Sequence, residues 1–133
     1  MDEIVTRAVN LATEARTIAY APYSGFSVGA AVVCDSNQVF SGCNVENAAS
    51  PIGICAEAAA ITTMVRAGSR SINHVVVIGG RVGQDPTFCS PCGSCRQMIF
   101  EFSNVDTIVH YISKDGNFVG KRITELLPET FKL

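Results

Sequence analysis

The sequence lacks a surplus of positive charge and lacks any long apolar run, and both absences exclude classes of partner. The chain carries 10 Lys and Arg against 12 Asp and Glu, a formal net charge of −2. Proteins that hold a polynucleotide usually carry a basic stripe, so we expect no nucleic-acid partner. No apolar stretch approaches the roughly 20 residues that span a bilayer, so we expect no membrane partner. The start, Met1 to Glu3, is acidic where a secretion signal would be basic, which predicts a cytoplasmic protein.

The composition also excludes disordered and low-complexity classes. Hydrophobic residues make up 47% of the chain and charged residues only 17%, and the 11 Gly and 5 Pro are scattered without a period. A chain of 133 residues fits one domain, which we place at 1–133. A domain of this size buries roughly two thirds of its unfolded surface and needs no disulfides to fold.

Hydrophobic periodicity and breaker residues predict eight elements in the order αββαβαββ, followed by a short helix. The expected elements are a helix from residue 4 to before Pro22, strands at 28–33 and 39–45, a helix at about 55–67, a strand at 74–78 ended by Gly79 and Gly80, a helix at about 92–102, strands at 105–112 and 118–119, and a helix at 123–127. This order predicts an α/β fold, a three-layer αβα sandwich with a mixed, about five-stranded sheet. It does not fix the order of the strands.

Six cysteines stand out in a chain without other unusual composition: Cys34, Cys43, Cys55, Cys89, Cys92 and Cys95. In a reducing compartment, clustered cysteines indicate a metal or catalytic site more often than disulfides. Cys92 and Cys95 form a C-x-x-C pair after Ser90-Pro91, which predicts a helix capped by Ser90 with proline in its first position. The positive end of a helix favours thiolate, the form that binds metal.

Cys55 supplies a third sulfur at another predicted helix start. Three thiolates would hold Zn²⁺ and leave the fourth tetrahedral position open, which distinguishes catalytic zinc from structural zinc. Water at an open zinc position becomes a nucleophile near neutral pH. Glu57, two residues after Cys55, is placed to exchange protons with that water. The pattern C-A-E followed by P-C-G-S-C matches the three-cysteine form of the zinc deaminase signature.

Beyond this signature, the chain resembles the small, homotetrameric cytidine deaminases over nearly its whole length. The stretches that carry the resemblance are A-P-Y-S-G-F-S-V-G-A-A at 21–31, G-C-N-V-E-N at 42–47, C-A-E at 55–57, S-P-C-G-S-C-R-Q at 90–97 and E-L-L-P at 125–128. The resemblance implies zinc-dependent hydrolytic deamination of cytidine and deoxycytidine to uridine and deoxyuridine, in pyrimidine salvage. It also implies one Zn²⁺ per chain and a homo-oligomer, a tetramer.

The same resemblance implies a role for each residue of the site. Zinc ligands would be Cys55, Cys92 and Cys95, and Glu57 would carry protons to N3 of the pyrimidine and to the departing ammonia. Substrate contacts would come from Asn44 and Glu46 to ribose hydroxyls, from Phe26 to the pyrimidine ring, from main-chain groups near Ala56 and Ser90 to the base edge and leaving amine, and from Phe131 to a neighbouring subunit's site. Arg96 and Gln97 would support the ligands from behind. An Asn and a carboxylate two residues apart on a strand supply the donor and acceptor that a hydroxyl needs.

Two positions depart from the family pattern. Ala58 stands where many relatives have Arg, and Ser50-Pro51 stands where Tyr-Gly is common. The resemblance implies that this Arg offsets the excess negative charge of three thiolates on one Zn²⁺. Without it, Arg96 and the helix dipoles must contribute more, and we expect water at the zinc to be more basic. Because residues 50–51 lie between the ribose motif and the zinc helix, the shape of the pocket and the range of substrates are expected to differ.

Other interpretations stay open at this point. Blasticidin S deaminases can also lack the Arg, and deamination of another aminopyrimidine or aminopurine compound is an alternative, although those relatives usually lose the N-V-E-N motif. A closed site of four thiolates that includes Cys89 would make the protein a non-catalytic, zinc-stapled binding module. Editing of RNA or DNA is disfavoured by the net charge. Cys34 and Cys43 are interpreted as small core residues, and His74 and His110 as structural.

Overall fold

The computed structural model describes all residues from Met1 to Leu133. The elements are α1 (Glu3–Thr17), β1 (Phe26–Cys34), β2 (Val39–Cys43), a 3₁₀ turn (Ser50–Ile52), α2 (Ala56–Arg66), β3 (Ile72–Arg81), α3 (Gly93–Glu101), β4 (Ser103–Ile112), β5 (Phe118–Arg122) and α4 (Ile123–Leu126). The predicted order of elements is therefore confirmed. None of the helices is both long and apolar enough to cross a bilayer.

The five strands form one sheet in the order β2-β1-β3-β4-β5. Only β3 and β4 pair in parallel, and the other three pairs are antiparallel. The parallel pair needs a crossover, which α3 supplies, while short turns suffice for the hairpins at either edge. The sheet is mixed, as predicted.

The side chains of β1 point alternately to the two faces of the sheet, and the core therefore has two layers. Ala31 and Val33 pack against α1, whereas Val32 and Cys34 face the opposite side, where α2, α3 and α4 lie. The α1 layer buries Val5, Ala8, Ala12, Ala31, Val33, Val76 and Ile78. The other layer buries Val32, Cys34, Ala60, Ile61, Met64, Ile72, Val75, Val77, Ile99, Val109, Tyr111 and Ile123. The three-layer prediction is confirmed, and Cys34 is a buried core residue while Cys43 is half-buried.

Two glycines let the helices approach the sheet closely. A Cβ at Gly29 would lie 1.8 Å from the carbonyl oxygen of Ala12 in α1. A Cβ at Gly42 would lie 2.7 Å from the Cβ of Ala59 in α2. The small residues of α2 are therefore used to pack this helix onto β2 within the same chain. This packing fixes the position of the N-terminus of α2.

The strand β3 is longer than predicted, because Gly79 and Gly80 do not end it. A Cβ at Gly79 would lie 2.6 Å from Sγ of Cys89, and one at Gly80 would lie 2.7 Å from a guanidinium nitrogen of Arg16. Glycine in a strand often marks a close approach of another group, and both positions do so here. The prediction that these glycines stop the strand was wrong.

The two histidines contact each other across β3 and β4. Nδ1 of His74 lies 3.1 Å from Nε2 of His110, and the ring of His110 stacks on Phe118 with 6.0 Å between centroids. Burial lowers the pKa of His74 and lowers that of His110 to about 4. Both rings therefore pack as neutral groups, in keeping with the structural role expected for them.

Candidate active site

A cavity of about 320 Å³ opens where the N-termini of α2 and α3 lie side by side. It is lined by the start of β1, the segment after β2, the 3₁₀ turn, the first turn of α2 and the loop before α3. Seven of the predicted site residues line it: Asn44, Glu46, Cys55, Ala56, Glu57, Ser90 and Cys92. Residues from segments that are far apart in the sequence thus meet in one concave space.

Three sulfurs converge at one end of this cavity. The Sγ atoms of Cys55, Cys92 and Cys95 all lie within 4.8 Å of one another, and they form the only group of three or more metal-ligating side chains in the chain. Sulfurs around a tetrahedral Zn²⁺ with bonds of about 2.3 Å lie roughly 3.8 Å apart, so a cluster spread over no more than 4.8 Å is compatible with zinc. Three protein ligands leave the fourth position free for water or substrate.

Helix ends position all three sulfurs. Cys55 is the N-cap of α2, and Cys92 is the N-cap of α3, where its Sγ accepts a hydrogen bond of 3.4 Å from the main-chain nitrogen of Cys95. The expected cap at Ser90 was wrong, since the helix begins two residues later and the cysteine itself caps it. Both helix dipoles therefore point their positive ends at the sulfurs.

The thiol groups of Cys55 and Cys95 are hydrogen-bonded to each other. A hydrogen bond from Cys95 lowers the pKa of the Cys55 thiol to about 6, and the same contact raises the pKa of Cys95. The hydrogen bond therefore favours the thiolate form of Cys55, which is the form that binds metal. A divalent cation that binds this cluster releases the remaining protons.

Glu57 lies in the first turn of α2, beside the sulfur cluster. Its side chain is only 4% exposed, although it carries a carboxyl group. Burial, and to a smaller extent the charge of Cys55, raise the pKa of Glu57 to about 7. A carboxyl group with a pKa near neutrality both accepts and donates protons, which is the requirement for a general acid–base.

Asn44 also lines the cavity and is held by the main chain of β1. Its Oδ1 accepts a hydrogen bond of 2.8 Å from the nitrogen of Val28, and its Nδ2 donates one of 3.0 Å to the oxygen of Phe26. The amide keeps one N–H and one lone pair free. β2 ends at Cys43, so the expectation that 39–45 forms one strand was wrong at its end.

Glu46 lies beside Asn44 and is held by the turn that precedes β1. Oε1 accepts hydrogen bonds from the main-chain nitrogens of Tyr23 and Ser24, at 2.9 and 3.1 Å. Oε2 accepts a hydrogen bond from Oγ of Ser24. The hydrogen bond from the Ser24 side chain, and then the others, lower the pKa of Glu46 below its usual value. This carboxylate remains charged and is a permanent acceptor.

Arg96 lies behind the cavity rather than in its lining. Its Nε donates to the oxygen of Pro91 at 2.7 Å, one terminal nitrogen donates to the oxygen of Leu126 at 2.9 Å, and the other donates to Oγ of Ser90 at 3.2 Å. These bonds tie the loop before α3 to the end of α4. The guanidinium group is thus held in place by oxygen acceptors, and its contribution to offsetting the charge of the sulfurs stays a prediction.

Phe26, Gln97 and Phe131 also lie outside the cavity lining, as does Cys95. Phe26 begins β1 and is half-buried. Gln97 is on α3, where its Nε2 donates a hydrogen bond of 3.0 Å to the main-chain oxygen of Phe131. The Phe131 side chain itself is 64% exposed. The tail of the chain is therefore attached to the helix that carries Cys95, and it presents an aromatic ring to the outside.

The sequence assigned no role to Val28 or Ser24, and it considered Cys89 only as a fourth zinc ligand. Val28 lines the cavity, and alternation from the buried Val32 could have placed it there. Cys89 also lines the cavity but lies outside the sulfur cluster, and burial raises the pKa of its thiol to about 12. The four-thiolate alternative is therefore not favoured. Ser24 binds Glu46, and no local pattern indicates this contact.

Comparisons with known proteins agree with this geometry. A sequence profile described as "Cytidine and deoxycytidylate deaminase zinc-binding region" matches residues 2–112. The cytidine deaminase of Mycoplasma genitalium is 40% identical over 114 residues, which make up 86% of this chain and 85% of that relative. The crystal structure of cytidine deaminase from Burkholderia pseudomallei is 35% identical, with a TM-score of 0.83 over 98% of this chain and 100% of that one. That of cytidine deaminase from Mycobacterium tuberculosis is 32% identical, with a TM-score of 0.82 over 99% and 100%.

Proposed function

Because this chain belongs to the cytidine and deoxycytidylate deaminase family, we propose that it converts cytidine and deoxycytidine to uridine and deoxyuridine by zinc-dependent hydrolysis. The observation that carries the proposal is a buried, protonatable Glu57 beside three convergent sulfurs in one cavity. Cys55, Cys92 and Cys95 would hold one Zn²⁺ per chain. We treat 1–133 as a single deaminase-like domain.

Two groups would carry out the reaction: the metal would activate water, and the carboxyl group of Glu57 would transfer protons. Zinc, when bound, lowers the pKa of water and so makes it a nucleophile towards C4 of the pyrimidine. Glu57 would take one proton from the attacking water and deliver it to N3 of the ring. It would then take the proton of the new hydroxyl group on C4 and deliver it to the 4-amino group, so that C4 keeps a carbonyl oxygen and ammonia leaves. A pKa near 7 suits both directions of transfer, because neither the acid nor the base form is scarce at neutral pH.

The side chains of Asn44 and Glu46, which we call the sugar end of the cavity, would bind the sugar. The free N–H of Asn44 and the remaining lone pairs of Glu46 are the donor and acceptor that a ribose hydroxyl needs. A site built to hydrogen-bond a hydroxyl rejects analogues without it by about 10⁴-fold or more, so this hydroxyl would be one that cytidine and deoxycytidine share. Phe26 would pack against the base, and main-chain groups near Ala56 and Ser90 would hold its polar edge and the leaving amine.

The remaining assignments concern the assembly and its setting. The exposed Phe131 would enter the site of a neighbouring subunit in a homotetramer, with Gln97 holding its main chain. Arg96 would keep the loop of Cys92 in place. The proposed setting is pyrimidine salvage in the cytoplasm, with a nucleoside as the substrate and neither nucleic acid nor membrane as a partner.

Ammonia release tests the proposed reaction directly. The purified protein is assayed with cytidine, deoxycytidine, adenosine and blasticidin S, with and without a zinc chelator. We expect ammonia from cytidine and deoxycytidine only, lost with the chelator and restored by added Zn²⁺. Release from blasticidin S or adenosine instead would replace the proposed substrate, and no release from any of the four would reject deamination of these substrates.

A further inference from the structure

The turn before β1 makes a side-chain contact with the sugar end of the cavity. This turn is closed by a main-chain hydrogen bond of 3.0 Å from Gly25 to Ala21. Ser24, inside it, uses its hydroxyl group twice: Oγ donates to Oε2 of Glu46 and accepts a hydrogen bond of 3.0 Å from the main-chain nitrogen of Phe26. One hydroxyl thus joins the proposed ribose carboxylate to the first residue of β1.

The bonds to Glu46 are not equivalent. Oε1 is held by two main-chain nitrogens, which any residues at 23 and 24 would supply. Oε2 is held by a side chain alone, that of Ser24. A glutamate has several rotatable bonds, and two donors on one oxygen leave the carboxylate free to turn about that oxygen. The Ser24 hydroxyl removes this freedom and fixes the direction of the lone pairs that remain.

The same frame holds the other ribose residue. The amide of Asn44 is hydrogen-bonded to the oxygen of Phe26 and the nitrogen of Val28, so its position is fixed relative to the start of β1. Glu46 is linked to the nitrogen of Phe26 through the hydroxyl group of Ser24. Both sets of bonds reach Phe26, so the donor on Asn44 and the acceptor on Glu46 are fixed relative to each other. A sugar hydroxyl that donates to Glu46 and accepts from Asn44 depends on the spacing between these two side chains.

We propose that Ser24 is a positioning residue for nucleoside binding, which holds the Glu46 carboxylate in the orientation that accepts a hydroxyl of the sugar. The inference rests on the proposed function, since it assigns a step in recognition of the same nucleoside. It predicts an effect on substrate binding and little effect on the chemical step, because Ser24 is absent from the lining of the cavity.

The test compares four variants with the wild type in steady-state assays on cytidine: Ser24→Ala, Ser24→Thr, Glu46→Gln and the double variant Ser24→Ala/Glu46→Gln. Ser113→Ala is the matched control, because Oγ of Ser113 donates to the carboxylate of Asp115 in the β4–β5 turn and makes no contact with Glu46. Each protein is checked for zinc content and for its unfolding temperature.

We expect Ser24→Ala to raise KM about tenfold while kcat changes less than about twofold. Ser24→Thr, which keeps the hydroxyl, restores KM to within about threefold of wild type. The double variant is no worse than Glu46→Gln, because Ser24 acts only through that carboxylate. Ser113→Ala keeps the wild-type KM.

Three results would overturn the role of Ser24. They are an unchanged KM in Ser24→Ala, equal losses in the Ala and Thr variants accompanied by a lower unfolding temperature, and multiplying losses in the double variant. A wild-type protein that releases no ammonia from cytidine rejects the proposed function instead. The two failures are therefore distinguishable.

Discussion

The two carboxyl groups of the cavity differ in environment although they line the same space. Glu57 is buried at the start of α2, and burial raises its pKa to about 7. Glu46 lies in an extended segment near the surface, where hydrogen bonds from the Ser24 turn lower its pKa. One group is therefore placed to exchange protons, and the other is held as a charged acceptor. The comparison teaches that the packing of the surroundings, and not the residue type, assigns the chemical role.

The two ends of the cavity are also built differently. The zinc end depends on helix packing: α2 is pressed onto β2 at Gly42, and the cysteines cap two helices. The sugar end depends on hydrogen bonds between short segments, with no helix involved. We therefore expect changes at the zinc end to abolish chemistry and changes at the sugar end to weaken binding.

The largest effect is expected from Cys92→Ser. Serine is a good N-cap, so α3 keeps its start, but the sulfur ligand is lost. Zinc content and ammonia release from cytidine should both fall to background, while circular dichroism stays that of the wild type. Cys89→Ser is the control for zinc content, since Cys89 lies outside the cluster and should leave one zinc per chain. Full zinc content in Cys92→Ser would show that this sulfur is not a ligand.

Glu57→Gln is expected to lower kcat by about 10³-fold, because it removes a general acid–base of matched pKa without changing shape. Zinc content should be unchanged, since Glu57 is not among the sulfur ligands. The unfolding temperature should not fall, because the variant removes a carboxyl group that burial disfavours in its charged form. Metal analysis, steady-state kinetics and calorimetry measure the three quantities. A zinc-loaded variant with wild-type kcat would remove Glu57 from the mechanism.

Glu46→Gln is the matched change at the other end and is expected to act on KM. An amide nitrogen cannot accept the hydrogen bonds that Glu46 receives from the turn, and the charge that strengthens a bond to the sugar is lost. KM for cytidine should rise roughly 10- to 100-fold, with kcat changed much less than in Glu57→Gln. If both variants changed kcat and KM in the same proportion, the division of roles between the two carboxyl groups would be wrong.

The zinc end could be predicted from the sequence because its signals are local. A cysteine at a helix start, a C-x-x-C pair and a glutamate two residues from a ligand each combine a spacing with a known helix-end chemistry. Cys55, Glu57, Cys92 and Cys95 meet in the structure for that reason. The layered fold was also predictable, since the alternation of helices and strands restricts the architecture.

The sugar end and the strand order could not be predicted in the same way. The order β2-β1-β3-β4-β5 depends on pairing between distant segments, which no local spacing encodes. The contact of Ser24 with Glu46 joins a turn to a segment 22 residues away through exposed polar atoms, without a hydrophobic pattern. Gly79 and Gly80 were misinterpreted because a glycine that ends a strand and a glycine that admits a neighbouring side chain look the same in a sequence.

The smallest expected effect comes from the pair of His74 and His110, which lies outside the cavity. This pair makes the stability of the protein depend on pH, and changes at the two ends of the cavity are compared against that dependence. The pKa of His110 is about 4 in the folded chain because of burial, against about 6.5 when unfolded. The unfolded chain therefore binds more protons between these values, and stability is lost as the pH falls from about 6.5 towards 4. Because His110 is partly exposed, we expect only about 1 kcal/mol of extra loss between roughly pH 7.5 and 5.5 relative to His110→Phe. Urea unfolding of both proteins at the two pH values measures this difference, in which effects from the shared zinc site cancel. As a control, KM of the variant for cytidine at neutral pH should equal that of the wild type. If both proteins lost the same stability between the two pH values, His110 would not titrate as its burial requires.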